Sequence, residues 1–192
     1  MNRCVATASI AFLMFGICCQ PARSADDAEP TTLTVSVSKV DGKPRLKIEC
    51  GQHQLFTETA VLMQGAANRT ELQIEEEQVG ILKNGVRTRA ASLDVNLWQD
   101  PALKRRKLDM IWFKVKPVNG TSRLRLIVGD IQVLAEEFVV QHDQAQARIS
   151  RQGNSVRCVS TTRDVVAGDV GVNLATTKFS YLNSAEVRFG RN

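Results

Sequence analysis

The sequence predicts an all-β fold, with one or two curved sheets built from a repeated unit. Apolar residues alternate along most of the chain, with turn signals between the alternating stretches. One pattern of apolar and small residues occurs four times, and no stretch carries the apolar stripe of a helix. Alternation gives the same strands in a closed β-sandwich, which is therefore the alternative architecture.

The N-terminus predicts a cleaved signal peptide over residues 1–24. A short apolar run, Val5–Cys19, precedes a small-x-small cleavage site at Ala22–Ser24. The run is shorter than the roughly 20 residues of a membrane span, which favours cleavage over a retained anchor. Residues 25–31 are predicted as a flexible leader and residues 32–190 as a single β domain. Export predicts a periplasmic location, with an extracellular one as the alternative.

The repeated unit is clearest in GDIQVLAEEFVV, Gly129–Val140. Its apolar or small residues stand at alternate positions and, after one step of three, at alternate positions again: Ile131, Val133, Ala135, Phe138 and Val140. An odd step moves side chains to the other face of a strand, so each copy predicts two short strands joined at a bend. The other copies are Val86–Val95, Val172–Tyr181 and a weaker one at His53–Leu62.

The remaining strands follow from alternation between turn signals. Four dipeptides predict hairpin turns: Asp41-Gly42, Asn84-Gly85, Asn119-Gly120 and Gly153-Asn154. In chain order, the strands predicted outside the copies are Leu33–Val37, Leu46–Cys50, Leu72–Ile74, Leu108–Val115, Leu124–Val128, Ala145–Ile149, Val156–Cys158 and Ala185–Phe189.

Two cysteines, Cys50 and Cys158, remain after removal of the signal. An oxidising compartment favours a disulfide between them, and two buried free thiols are the alternative. A bridge would close a long loop and contribute on the order of 4–5 kcal/mol in the chain-entropy model. Their spacing fits no zinc pattern.

The composition offers little for catalysis. The formal net charge is +5, which is mild, and no nucleic-acid partner is expected. The one basic run, Lys104–Lys107, reads as a solvated turn or as a site for anions. His53 and His142 have no carboxylate or cysteine at a ligand-like spacing, and no catalytic motif occurs. We therefore expect no enzymatic activity, no metal and no cofactor.

The third copy, with its Gly-Asp start, alternating apolar residues and Ala135-Glu136 pair, resembles the repeat of the OstA-like family of periplasmic lipopolysaccharide-transport proteins. Thr57-Glu58 meets the pair with Thr for Ala, whereas Ala90-Ala91 and Thr176-Thr177 lack the acid. The resemblance implies a repeat-built β-jellyroll, a folded antiparallel sheet that is open along one side and at both ends. It further implies acyl chains held in the apolar interior. The end strands would pair head to tail with another copy or another jellyroll module.

Stacked in register, the copies would align one apolar trough for lipid or glycolipid chains. The predicted lining is Leu55, Leu93, Val95, Val133, Phe138, Val140, Leu174 and Phe179. The alternative is an exported structural or adhesive β-sandwich whose apolar faces only pack against each other, because periodicity does not separate a trough from a filled core.

Overall fold

The computed structural model describes residues 32–65, 68–98, 108–142 and 145–188, and these form one antiparallel, nearly closed sheet. No helix occurs in these ranges. The sixteen strands are β1 Thr32–Val40, β2 Lys43–Cys50, β3 His53–Thr57, β4 Ala60–Gln64, β5 Asn68–Glu75, β6 Gln78–Lys83, β7 Val86–Ala90, β8 Ser92–Asn96, β9 Met110–Val118, β10 Thr121–Val128, β11 Ile131–Ala135, β12 Glu137–His142, β13 Ala145–Gln152, β14 Ser155–Ser160, β15 Asp164–Asn173 and β16 Phe179–Arg188. The predicted signal peptide, the leader and Lys104–Lys107 lie outside the described residues.

The predicted hairpin turns form where the sequence places them. Asn84 (φ 52°) and Gly85 (φ 78°) connect β6 to β7, and Asn119 (φ 49°) and Gly120 (φ 77°) connect β9 to β10. Positive φ at both central residues is the conformation that suits the right-handed twist of a two-residue hairpin. Asp41-Gly42 does the same between β1 and β2.

The sheet is folded into two facing layers. Layer A contains β8, β1, β2, β3, β12, β13, β14 and the first part of β15, in that order. Layer B contains β7, β6, β5, β4, β11, β10, β9 and the last part of β15. Strands at corresponding positions in the two layers face each other: β1 contacts β6, β2 contacts β5, β13 contacts β10 and β14 contacts β9. The apolar sides of both layers therefore meet in one core.

The chain passes from one layer to the other at corners, as the repeat predicts for three of its copies. The corner of the first copy is at Glu58-Thr59, that of the second at Ala91 and that of the third at Glu136. The first and third copies are neighbours, since β3 pairs with β12 and β4 with β11. The second copy stands at the edge, with β7 paired to β6 and β8 to β1.

The fourth copy is not a corner, and that part of the prediction is wrong. Thr176 lies in the turn of a hairpin in which β15 pairs with β16 over Val172↔Phe179 and Val170↔Tyr181. The crossing between layers instead falls inside β15: Asp164–Ala167 pairs with β14 of layer A, and Asp169–Asn173 pairs with β9 of layer B. A hairpin and a corner both reverse the parity of alternation, so the two give the same spacing of apolar residues.

Candidate functional site

All eight residues of the predicted trough lie in one hydrophobic cluster between the layers. Four of them are fully or almost fully buried: Leu55, Val133, Phe138 and Val140. The other four are half-buried and pack against the same core: Leu93, Val95, Leu174 and Phe179. The structure therefore brings the predicted residues together, but in two different environments.

Burial follows position along the stack of strands. The four buried residues belong to β3, β11 and β12, in the middle of the sheet, where a strand covers them on each side. Leu93 and Val95 lie on β8, and the one described strand that pairs with β8 is β1. Phe179 lies on β16, which pairs only with β15 among the described strands. The interior is thus closed at mid-length, and its apolar residues lose their cover towards both ends.

A cavity of about 230 Å³ opens near the β16 end, on the side opposite the corners; we call it the end cavity. Its apolar wall consists of Val140, Ala147, Val172 and Phe179. Its polar residues are His53, Gln146, Ser160, Thr161, Thr162 and Thr177. Two predicted trough residues, Val140 and Phe179, therefore line a space that a ligand can reach.

Most of the polar lining was not predicted as part of a site. Thr161 and Thr162 lie in the turn between β14 and β15, and Thr177 lies in the turn between β15 and β16. The two turns lie at opposite ends of β15. They line the same cavity because of the path that β15 takes between the layers, which local sequence does not show. A run of small hydroxyl residues beside a strand end was the available sequence signal, and it is common in ordinary turns.

Aromatic residues continue the apolar wall beyond the end cavity. The rings of Phe179 and Tyr181 stack with centroids 6.4 Å apart. The Tyr181 hydroxyl lies 3.8 Å from the Cys158 sulfur, so β16 contacts β14 of layer A. Burial raises the pKa of Tyr181 above its ordinary value. The phenol is therefore neutral at physiological pH and acts as a packing group.

The segment that follows β8, around Leu97, closes the interior beside the middle of layer B. The side chain of Leu97 is completely buried in the core. The backbone amide of Asp130 donates to the Leu97 carbonyl at 3.4 Å, and the Gln64 amide donates to the Asn96 carbonyl at 2.8 Å. Gly129 (φ +60°) lets the chain approach, since an added Cβ would stand 3.1 Å from that same Leu97 oxygen. The segment around Leu97 therefore fills the interior on the side opposite the corners, and neither Asn96 nor Leu97 lines the end cavity.

The expected disulfide is not formed. Cys50 and Cys158 are free and buried, which is the alternative that the sequence left open. β3, β12 and β13 separate the strands that carry them, so the sulfurs are four strand spacings apart, roughly 19 Å at about 4.8 Å each. A disulfide requires Cα atoms within about 7 Å. Burial raises the pKa of Cys50 to about 12 and that of Cys158 to about 11, so both are protonated at neutral pH.

The outer faces of the layers carry two polar grooves that do not involve the predicted residues. One has a volume of about 530 Å³ on layer B, and the other about 490 Å³ on layer A. Their charges are largely matched: Arg123 contacts Glu136, Arg69 lies 3.0 Å from Glu71, and Arg45 donates to Glu58. Exposed pairs of this kind contribute little and leave no excess charge for a ligand.

Within the described ranges, no group of His, Cys, Asp and Glu side chains has the arrangement of a metal site. The same ranges contain no helix that is long and apolar enough to cross a membrane. The fold and the site define a two-layered all-β module with an apolar interior that becomes accessible at its ends. Comparisons of the chain with family models, curated proteins and solved structures find no match.

Proposed function

We propose that this protein is an exported module that binds lipid or glycolipid acyl chains, in the manner that its resemblance to the OstA-like family implies. The observation that carries the proposal is the loss of cover along one apolar interior, from the buried Val140 to the half-buried Phe179, beside the end cavity. Apolar surface left open in this way is stabilised by an apolar ligand or a partner.

The size of the end cavity limits the affinity. At about 30 Å³ for each water-sized group, 230 Å³ accommodates about eight methylene groups. At about 0.8 kcal/mol for each, these contribute roughly 6 kcal/mol, before the cost of association is subtracted. This corresponds to a Kd in the tens of micromolar at best. Tighter binding requires a chain that extends past Phe179 along the open end.

A matched pair of substitutions on β16 tests the proposal. Phe179 faces the end cavity, whereas Leu182 is 46% exposed on the outside of the same strand. A glutamate at position 179 places a charge where the acyl chain would lie, and a glutamate at position 182 meets solvent. We expect Phe179→Glu to abolish the thermal stabilisation by an added long-chain amphiphile, and Leu182→Glu to retain it. Loss in both variants, or in neither, contradicts the proposed site.

The proposal also includes pairing of the terminal strands with neighbouring modules. β7 and β8 form a bent edge at one end of the sheet, and β16 forms the edge at the other. Val86 on β7 is 63% exposed, and an edge strand with an exposed apolar residue is a template for β-augmentation. We expect sedimentation to show concentration-dependent association that Val86→Lys weakens. A purely monomeric wild-type protein contradicts this part.

A second function follows from the closed middle of the sheet. Leu55, Val133 and Phe138 have no solvent exposure, as in an ordinary filled β-sandwich. On this basis the protein is a structural or adhesive module, and the end cavity holds only water. Thermal stability that no amphiphile changes, combined with association through the edges, selects this function over lipid binding.

A further inference from the structure

Four basic side chains lie together on the outer face of layer B; we call them the basic block. Lys114 and Lys116 alternate with inward-facing residues on β9, and Arg123 and Arg125 do so on β10. The register places Arg123 directly opposite Lys116, and Arg125 directly opposite Lys114. Neighbouring members are therefore about 5–7 Å apart at their Cα atoms, closer than the Debye length of about 8 Å at physiological salt.

The basic block carries more positive charge than the acids beside it neutralise. Two of its members contact a carboxylate, in the pairs Lys114–Asp169 and Arg123–Glu136. Lys116 and Arg125 form no ion pair within the described part of the chain. The Nε donor of Arg125 is shielded from solvent and has no hydrogen-bond acceptor there. Four cations and two carboxylates leave a net charge of +2.

This arrangement has a cost in the free protein. Like charges directly opposite each other on neighbouring strands destabilise a sheet. On the outer face of layer A, by contrast, Arg45, Lys47 and Arg157 each lie within 3.1 Å of a carboxylate. The repulsion within the basic block would be relieved by an anionic surface lying against it.

An apolar row with a tryptophan lies directly beside the basic block. Ile127 stands opposite Trp112, and Trp112 opposite Gly171, across β10, β9 and β15. An added Cβ on Gly171 would stand 2.9 Å from the Trp112 ring and 2.6 Å from the Met110 methyl group, so the glycine lets both side chains lie against the sheet. The Lys114 ammonium lies 5.4 Å from the centroid of the Trp112 ring. The half-buried indole is therefore held next to the charges.

We infer that the outer face of layer B docks on a lipid bilayer that contains anionic phospholipids. The basic block would face the phosphate groups, and Trp112 would lie at the level of the head groups, where tryptophan and basic side chains are favoured. Of the four cations, only Arg123 lines one of the outer grooves, so the block presents its charge to a broad surface and not to an enclosed small anion. This inference goes beyond acyl-chain binding and does not depend on it, because the end cavity lies between the layers.

Sedimentation with vesicles tests the inference. The probes are vesicles of phosphatidylcholine alone and vesicles of an equimolar mixture of phosphatidylcholine and phosphatidylglycerol. The wild-type protein should bind only the mixture, and added salt should release it. Lys116→Gln/Arg125→Gln should bind the mixture roughly thirtyfold more weakly, which is the contribution typical of two basic residues near an anionic surface.

The matched control is Lys43→Gln/Arg151→Gln, which removes one lysine and one arginine from exposed positions on β2 and β13 of layer A. It should bind the mixed vesicles as tightly as the wild-type protein. Equal weakening of the two variants would assign binding to the net charge and overturn the inference. Equal binding of the wild-type protein to both kinds of vesicle, or binding to neither, also overturns it. Binding to polyglutamate but not to vesicles overturns it as well, and identifies an acidic polypeptide as the partner.

Tryptophan fluorescence shows which face meets the bilayer. Trp98→Phe leaves Trp112 as the one tryptophan of the chain. Its emission should shift to shorter wavelength on the mixed vesicles, because the head-group region is less polar than water. An unchanged emission from vesicle-bound protein would mean that another face meets the bilayer, and would overturn the inference.

Discussion

The interior is closed in the middle of the sheet and uncovered at the β16 end. The same Phe→Ala substitution should therefore reduce the free energy of unfolding by different amounts at these two places. Phe138 is completely buried, and its ring centroid lies 5.5 Å from that of Phe113 in the other layer. Phe138→Ala removes a core side chain and leaves a cavity, which costs about 3–5 kcal/mol. Phe179 is half-buried at the β16 end, so Phe179→Ala removes a contact that solvent partly replaces, at about 1 kcal/mol.

Urea unfolding followed by circular dichroism measures both costs. With a slope of about 2 kcal/mol per molar urea, the midpoint should fall by roughly 2 M for Phe138→Ala and by about 0.5 M for Phe179→Ala. Unchanged slopes are required, since a changed slope indicates an altered denatured state. Similar losses for the two variants would refute the reasoning, because the β16 end would then be as well covered as the middle.

Two other regions give independent predictions. Gly129→Ala adds left-handed strain and a 3.1 Å contact with the Leu97 oxygen, whereas Gly85→Ala (φ +78°) adds the strain with open space around it. Urea unfolding should therefore show the Gly129 variant to be the less stable of the two. Equal losses of unfolding free energy would contradict the close approach of Gly129 to Leu97. Each buried thiol has a raised pKa, so its stabilising effect is complete below pH 9 and is lost as the pH rises towards about 11 for Cys158 and about 12 for Cys50. Cys50→Ala should therefore reduce the slope of stability against pH in this window by about 1.4 kcal/mol per pH unit, and an unchanged slope means that the thiol is accessible.

Local signals predicted most of the strands and turns. Asn84-Gly85 and Asn119-Gly120 form hairpins because the pairs tolerate positive φ, a property of the two residues themselves. The corners at Glu58-Thr59 and Glu136 follow from the parity of the flanking apolar residues. These features depend only on nearby sequence.

Features that depend on the order of the strands could not be predicted from nearby sequence. Cys50 and Cys158 both alternate with apolar neighbours, and only the order of the strands between them excludes a bridge. Thr176 fits the spacing of a corner but lies in a hairpin turn. The predicted trough residues share one interior face, yet their exposure depends on whether a further strand covers them, which alternation does not encode.

This distinction also changes which substitutions can test lipid binding. Val133→Glu and Phe138→Glu would bury an unpaired carboxylate in the closed middle, so they should unfold the domain whether or not it binds a lipid. Informative substitutions lie at the ends, as at Phe179. Stability and binding are separable only where the interior is uncovered.

Native mass spectrometry of the protein purified from its own cell envelope, without detergent, tests acyl-chain binding most directly. The account predicts a population whose added mass corresponds to one acyl amphiphile, released by organic solvent and absent from Phe179→Glu. A spectrum of the ligand-free mass alone, together with no thermal stabilisation by an added long-chain amphiphile such as dodecanoate, would contradict it.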